Sequence, residues 1–167
     1  MPLPSTMTPI ATQTLTSASA SFTFSSIPQT YTDLMIVMGS MTTDANGRTV
    51  YLRYNGDSGT NYSYTRITGD GTYTSSERAS TQDHIRPFYG VVGSNTGNPT
   101  TGTINIQNYS NSTTNKTLLS RTAVSGEVNA VVGLWRSTAA VTSIVFSLNA
   151  GTYSAGTTFT LYGIKAA

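Results

Sequence analysis

His84 is the only histidine in the chain, with Asp83 directly before it and Arg86 two residues on. An imidazole beside a carboxylate is the elementary unit of acid–base and nucleophilic catalysis: the carboxylate orients the ring and the ring moves a proton. The unit needs a third member. Serines are abundant, but no Gly-x-Ser-x-Gly turn is present to lift one out of a sheet. A metal site would need several ligands in fixed geometry, and there is neither a second histidine nor any cysteine. Oxygen ligands for calcium could come from Asp44, Asp57 or Asp70. The segment Asn55-Gly56-Asp57-Ser58-Gly59 has the right residue types, yet it lacks the alternating acids and distal glutamate of a calcium loop and reads as a turn.

Hydrolysis by paired carboxylates needs two acids a few ångströms apart. The seven acids are Asp33, Asp44, Asp57, Asp70, Glu77, Asp83 and Glu127, and all but Asp33 and Glu127 fall in segments expected to be surface loops. The sequence therefore predicts no catalytic residue, no metal ligand and no cofactor, and a protein that is not an enzyme. Aromatic residues offer a different chemistry. Asn61, Tyr62, Tyr64 and Arg66 lie together in NYSYTRIT. Flat rings beside an amide and a guanidinium could stack on sugar rings and bind their hydroxyls, which makes these four a candidate glycan-binding patch. Nucleic acid would want aromatics interleaved with clustered cations. The nine Lys and Arg residues are scattered instead, with a net charge of +2, so no nucleic-acid partner is expected.

The elements that must carry these residues read as β structure throughout. Only 10% of the residues are charged, against roughly 25% in an average globular protein. Thr, Ser, Asn and Gly take the place of charge, and 10 Tyr and 5 Phe argue against disorder. The last third holds the clearest strands: VNAVVGLW (128–135), VTSIVFSL (141–148) and TTFTLYGI (157–164), separated by small or turn-forming residues. Trp135, in the most apolar of them, reads as core or interface. Earlier, DLMIVMGSM (33–41) is apolar on both faces and reads as a central strand. TVYLRY (49–54) alternates, with Val50, Leu52 and Tyr54 inward and Arg53 outward. Residues 61–68 and 102–109 read as strands, and Pro87 demotes 85–92 to an edge strand. Residues 72–83 are polar and without period, which predicts a long loop.

The result is an all-β fold, an antiparallel β-sandwich of jelly-roll type with about 8–10 short strands. The sandwich occupies residues 21–167. Residues 1–20, with Pro2, Pro4 and Pro9, read as an extended N-terminal arm that orders on a neighbouring subunit. Leu3, Pro4, Pro9 and Ile10 are its candidate partner-binding residues. No apolar run approaches a membrane span, and no basic-then-apolar leader is present, so neither a membrane nor a secretory route is expected. Asn61, Asn108, Asn111 and Asn115 each begin an Asn-x-Ser/Thr triplet, which without a leader is read as coincidence in a Ser/Thr-rich chain.

Four stretches together resemble a group of small virion structural proteins of tailed bacteriophages, of the marine and cyanophage type. They are IPQTYTDLMI (27–36), YNGDSGTNYSYT (54–65), INIQNYS (104–110) and GTTFTLYGIKAA (156–167). Singly they are β-turn chemistry; their order is the more specific signal, and it spans nearly the whole chain from about residue 21. The resemblance implies a protein made in the host cytoplasm and carried on the exterior of the particle. That implies a capsid decoration (cement) protein bound to other virion proteins, or alternatively a tail or head-fibre module that binds a receptor or host-surface glycan. It carries over no catalytic residue. Such proteins assemble as homotrimers or other homo-oligomers through neutral, hydroxyl-rich and aromatic interfaces, which the composition suits.

Overall fold

The computed structural model describes residues 6–88, 99–124 and 126–165. Among them are eleven strands and no helix: β1 (Met7–Thr14), β2 (Ser21–Phe24), β3 (Asp33–Met41), β4 (Val50–Tyr54), β5 (Tyr62–Gly69), β6 (Thr74–Gln82), β7 (Thr100–Ile106), β8 (Lys116–Val124), β9 (Glu127–Trp135), β10 (Ile144–Leu148) and β11 (Thr158–Ile164). Every pairing is antiparallel. Eight strands form one sheet in the order β1-β11-β3-β7-β8-β9-β5-β6, and three form a second in the order β2-β10-β4. The two pack together as a sandwich.

Alternation decides which residues meet between the layers. In β3, Leu34, Ile36 and Met38 are buried and Met35 and Val37 half-buried; in β4, Val50, Leu52 and Tyr54 are buried while Arg53 points out. The register carries the inner face across the large sheet. Ile36, Ile104, Ser120, Val131 and Arg66 stand side by side on β3, β7, β8, β9 and β5. The small sheet closes the core with aromatic rings. Phe22 of β2 stacks on Phe146 of β10 at 4.9 Å and meets Phe159 of β11, in the opposite layer, at 4.0 Å. Each such side chain taken fully from water contributes about 1.5–3 kcal/mol. The strands predicted from the last third, β9, β10 and β11, each have a neighbour on both sides.

Two strands stand where the sequence predicts a loop and an arm. Residues 72–83 form β6 rather than a loop. Its sequence, TSSERASTQ, has no apolar period because it is an edge strand, paired on one side only with β5, and carries Glu77 and Arg78. The turn before it is built by Asp70, whose carboxylate accepts the N–H groups of Thr72 and Tyr73 at 2.8 and 2.7 Å, and by Gly71 at φ 87°. Met7–Thr14, expected as an arm reaching to a neighbour, form β1 on β11 of their own chain. Pro9 fits there because β1 is an edge strand and the register breaks between Pro9 and Ala11. Paired hydroxyls hold the join: Thr12 to Thr160 at 3.1 Å and Thr14 to Thr158 at 2.9 Å. Of the edge strand expected over 85–92, Ile85 forms a single bridge to Leu52, Arg86 to Phe88 are irregular, and 89–92 lie outside the described residues.

Candidate functional site

The Asp83–His84 pair is real in space, with the imidazole buried and the carboxylate partly exposed. His84 Nδ1 lies 2.6 Å from Asp83 Oδ1, and Arg53 pairs with the second carboxylate oxygen through Nη2. Arg53 Nε also donates to the Asp83 backbone carbonyl at 2.8 Å. The Tyr51 ring stacks on the imidazole at 3.6 Å, and Arg86 donates from Nε to His84 Nε2 at 3.4 Å. Nε2 is thus an acceptor and Nδ1–H the donor to Asp83, which fixes a neutral ring. Burial lowers the His84 pKa; Asp83 pulls it back up, and the charges of Arg86 and Arg53 push it down again. Both ring nitrogens are occupied within the cluster. The cluster ties the segment after β6 to β4.

The four residues of the expected glycan patch are brought together but not to the surface. Tyr62 is fully buried and Tyr64 and Arg66 are 5% exposed. The Tyr62 hydroxyl donates to the Asp57 carbonyl at 3.1 Å and accepts the Tyr54 N–H at 3.1 Å. Arg66 pairs with Glu77 across the β5–β6 register at 2.6 Å, and Asn61 donates to Asp57 Oδ2 at 3.0 Å. The period-2 pattern is present, but Tyr62, Tyr64 and Arg66 point into the sandwich, while Ser63, Thr65 and Ile67 face out. They cannot form a stacking platform from there. Of the arm residues, Leu3 and Pro4 lie outside the described residues. Pro9 is exposed and Ile10 half-buried against the core.

Lys116 is buried as well, its ammonium donating to the carbonyls of Thr114 at 2.6 Å and Thr138 at 3.0 Å; burial lowers its pKa. Among the described residues no three His, Cys, Asp or Glu side chains gather around one point that could hold a metal ion. No helix there is long and apolar enough to cross a membrane.

What the described residues leave uncovered is the outer face of the large sheet. Ile67 of β5 is 62% exposed, Val128 and Val132 of β9 are 64% and 55% exposed, and Leu119 of β8 is 51% exposed. The register makes them one patch: Ile67 opposes Ala130, which lies between Val128 and Val132, and Val132 opposes Leu119. Shallow grooves run along it, lined by Thr65, Arg78, Thr117, Val132 and Leu134 on one side and by Asn105, Leu119 and Ile164 on the other. Sequence reasoning missed this surface although its signal is present. VNAVVGLW is apolar at outward positions as well as inward ones. A strand with two apolar faces normally has both covered, and in this sandwich the second sheet covers one.

Compared with models of known protein families, with curated proteins and with solved structures, the chain matches none.

Proposed function

We propose that this chain is a non-enzymatic structural protein of a tailed-phage virion, acting as a capsid decoration protein on the outside of the particle. The observation that carries the reading is the uncovered sheet face. It is broad, nearly uncharged and made of apolar and hydroxyl side chains, which is the make-up of a contact surface between macromolecules rather than of an enclosed small-molecule site. The order of the four phage-like stretches supports the virion context. The alternative role as a receptor-binding tail or fibre module loses its sugar platform, since Tyr62 and Tyr64 are buried.

Quantitative mass spectrometry of purified particles tests the proposal. A copy number approaching that of the main shell protein is the expected result. A few copies per particle would move the protein to the tail or a fibre, and its absence from particles would overturn the virion reading.

A further inference from the structure

We infer that the outer face of the large sheet, centred on Ala130, is a self-association surface on which a second copy of this chain packs face to face. The inference rests on the preceding reading only in taking this face to be a contact surface.

Three observations select a second copy as the occupant. The first is concentration of apolar exposure. Six large hydrophobic side chains are exposed among the described residues, and four of them, Ile67, Leu119, Val128 and Val132, are neighbours here. The second is charge. Across all eight strands the outward side chains include three charges, Asp33, Arg78 and Arg121; Arg121 Nε is turned onto Thr103 Oγ1 at 3.3 Å, and Arg136, just past β9, donates to Ser63 Oγ at 3.2 Å. A partner chosen by charge would find little to read. A surface of Val, Leu, Ile, Ala and Thr is complementary to itself, because apolar meets apolar and hydroxyl meets hydroxyl in either orientation.

The third is area. Eight strands about 4.8 Å apart and about seven residues long, at roughly 3.3 Å per residue, present on the order of 900 Å² of face. A stable interface needs about 800 Å² from each partner. Two such faces can meet at the spacing of about 10 Å by which β-sheets pack, with the branched side chains interdigitating. The sheet would then be covered on both faces, as its doubly apolar strand β9 requires.

Analytical ultracentrifugation of the full chain at micromolar concentration decides the matter. The expected mass is twice the 17.7 kDa of one chain. Val132→Lys and Leu119→Lys place a charge at exposed positions, so each should leave the fold intact by circular dichroism and weaken pairing roughly a hundredfold or more. Tyr73→Lys, at the exposed β5–β6 turn, should pair as wild type does. Because the chain has no cysteine, Ala130→Cys gives a single attachment point. A short bis-maleimide should join two Ala130→Cys chains and should not join Thr16→Cys chains. This cross-link decides the question should a lysine variant fail to fold.

A monomer at every concentration, pairing that survives both lysine substitutions, or a trimer indifferent to them would overturn the inference. A monomeric chain still counted in purified particles would refute the pairing and leave the virion reading standing. A paired chain absent from particles would do the reverse.

Discussion

Trp135 donates its indole N–H to Asp57 Oδ2 at 2.7 Å, tying the last residue of β9 to the turn that follows β4. The same carboxylate accepts the Asn61 side-chain amide at 3.0 Å and the Gly59 N–H at 2.8 Å. One acid thus ends three donors and seats the indole against Tyr54 and Tyr62, with ring centroids 5.3 and 6.2 Å away. The turn sequence NGDSG, which has the composition of a cation loop, is instead the clamp on the only tryptophan.

Asp57→Ala should therefore destabilise the fold. It leaves the indole N–H and the Asn61 amide without their acceptor, at a cost of about 1–3 kcal/mol. Chemical denaturation measures the loss. The emission of Trp135 provides a second readout and should shift to longer wavelength as water reaches the ring.

The same carboxylate predicts sensitivity to acid. Burial acts to raise the Asp57 pKa, but the hydrogen bonds from Asn61, Trp135 and the Gly59 backbone outweigh it and hold the group below the usual carboxylate range. A pKa depressed by folding stabilises the native state above the unfolded value of about 3.9 and is lost as pH falls through the folded value. Wild-type stability should drop over that interval, and Asp57→Asn should flatten the drop while lowering stability at neutral pH. Parallel slopes for the two proteins would refute this.

His84 acts over a higher pH interval with the same sign. Its folded pKa is lowered, chiefly by burial against Tyr51, so the neutral ring is favoured in the native state. Its stabilisation is complete above the unfolded histidine value of about 6.5 and declines as pH falls below it. Melting temperatures followed downward from neutral pH should fall in wild type before any carboxylate titrates. His84→Gln should remove that early part of the slope, and its persistence would assign it to another group.

The all-β class, the sandwich and the three C-terminal strands were legible because apolar alternation reports burial directly. Val50, Leu52 and Tyr54 could be placed inward because Arg53 had to go out. β6 was illegible for a physical reason: an edge strand whose only apolar contact with the core is Ala79 has no apolar period, and its partner β5 supplies the pairing. β1 was hidden by its prolines, which mark an edge strand and a loose arm equally well. For Tyr62, Tyr64 and Arg66 the period was read correctly and the face was not. Tyr and Arg pass as surface residues until Glu77, opposite Arg66, shows that the guanidinium is paired. The outer patch required knowing that the second sheet has three strands and lies on one side only.

Gly133 is the inward position of β9 that no side chain can fill. A methyl group there would lie 2.8 and 2.9 Å from Ile85 Cγ2 and Cδ1, and 3.1 Å from Leu118 Cγ. Ile85 is fully buried and has little room to withdraw. Gly133→Ala should cost about 1–3 kcal/mol through overpacking. Ile85→Ala alone should also destabilise, by leaving a cavity. Together the two changes should cost clearly less than their sum, because each relieves the fault of the other. Additive losses would mean that the two sites do not share this space.

Removal of residues 1–14 separates a strand from an arm. Each cross-strand pair along β1 and β11 contributes roughly 0.2–1 kcal/mol. The pairing runs from Met7 opposite Ile164 to Thr14 opposite Thr158, with Ile10 and Ala11 packed on the core. An arm used only to grip a neighbour would leave the stability of the isolated chain unchanged when deleted. A strand would not: β11 would become an edge, its backbone groups on that side would face water, and the chain should melt at a clearly lower temperature and aggregate more readily. Ile10→Ala should reproduce part of the loss, because it removes core contact while leaving β1 paired. Unaltered melting of both variants would return these residues to the role of a tether and place the β1–β11 contact outside the stable fold.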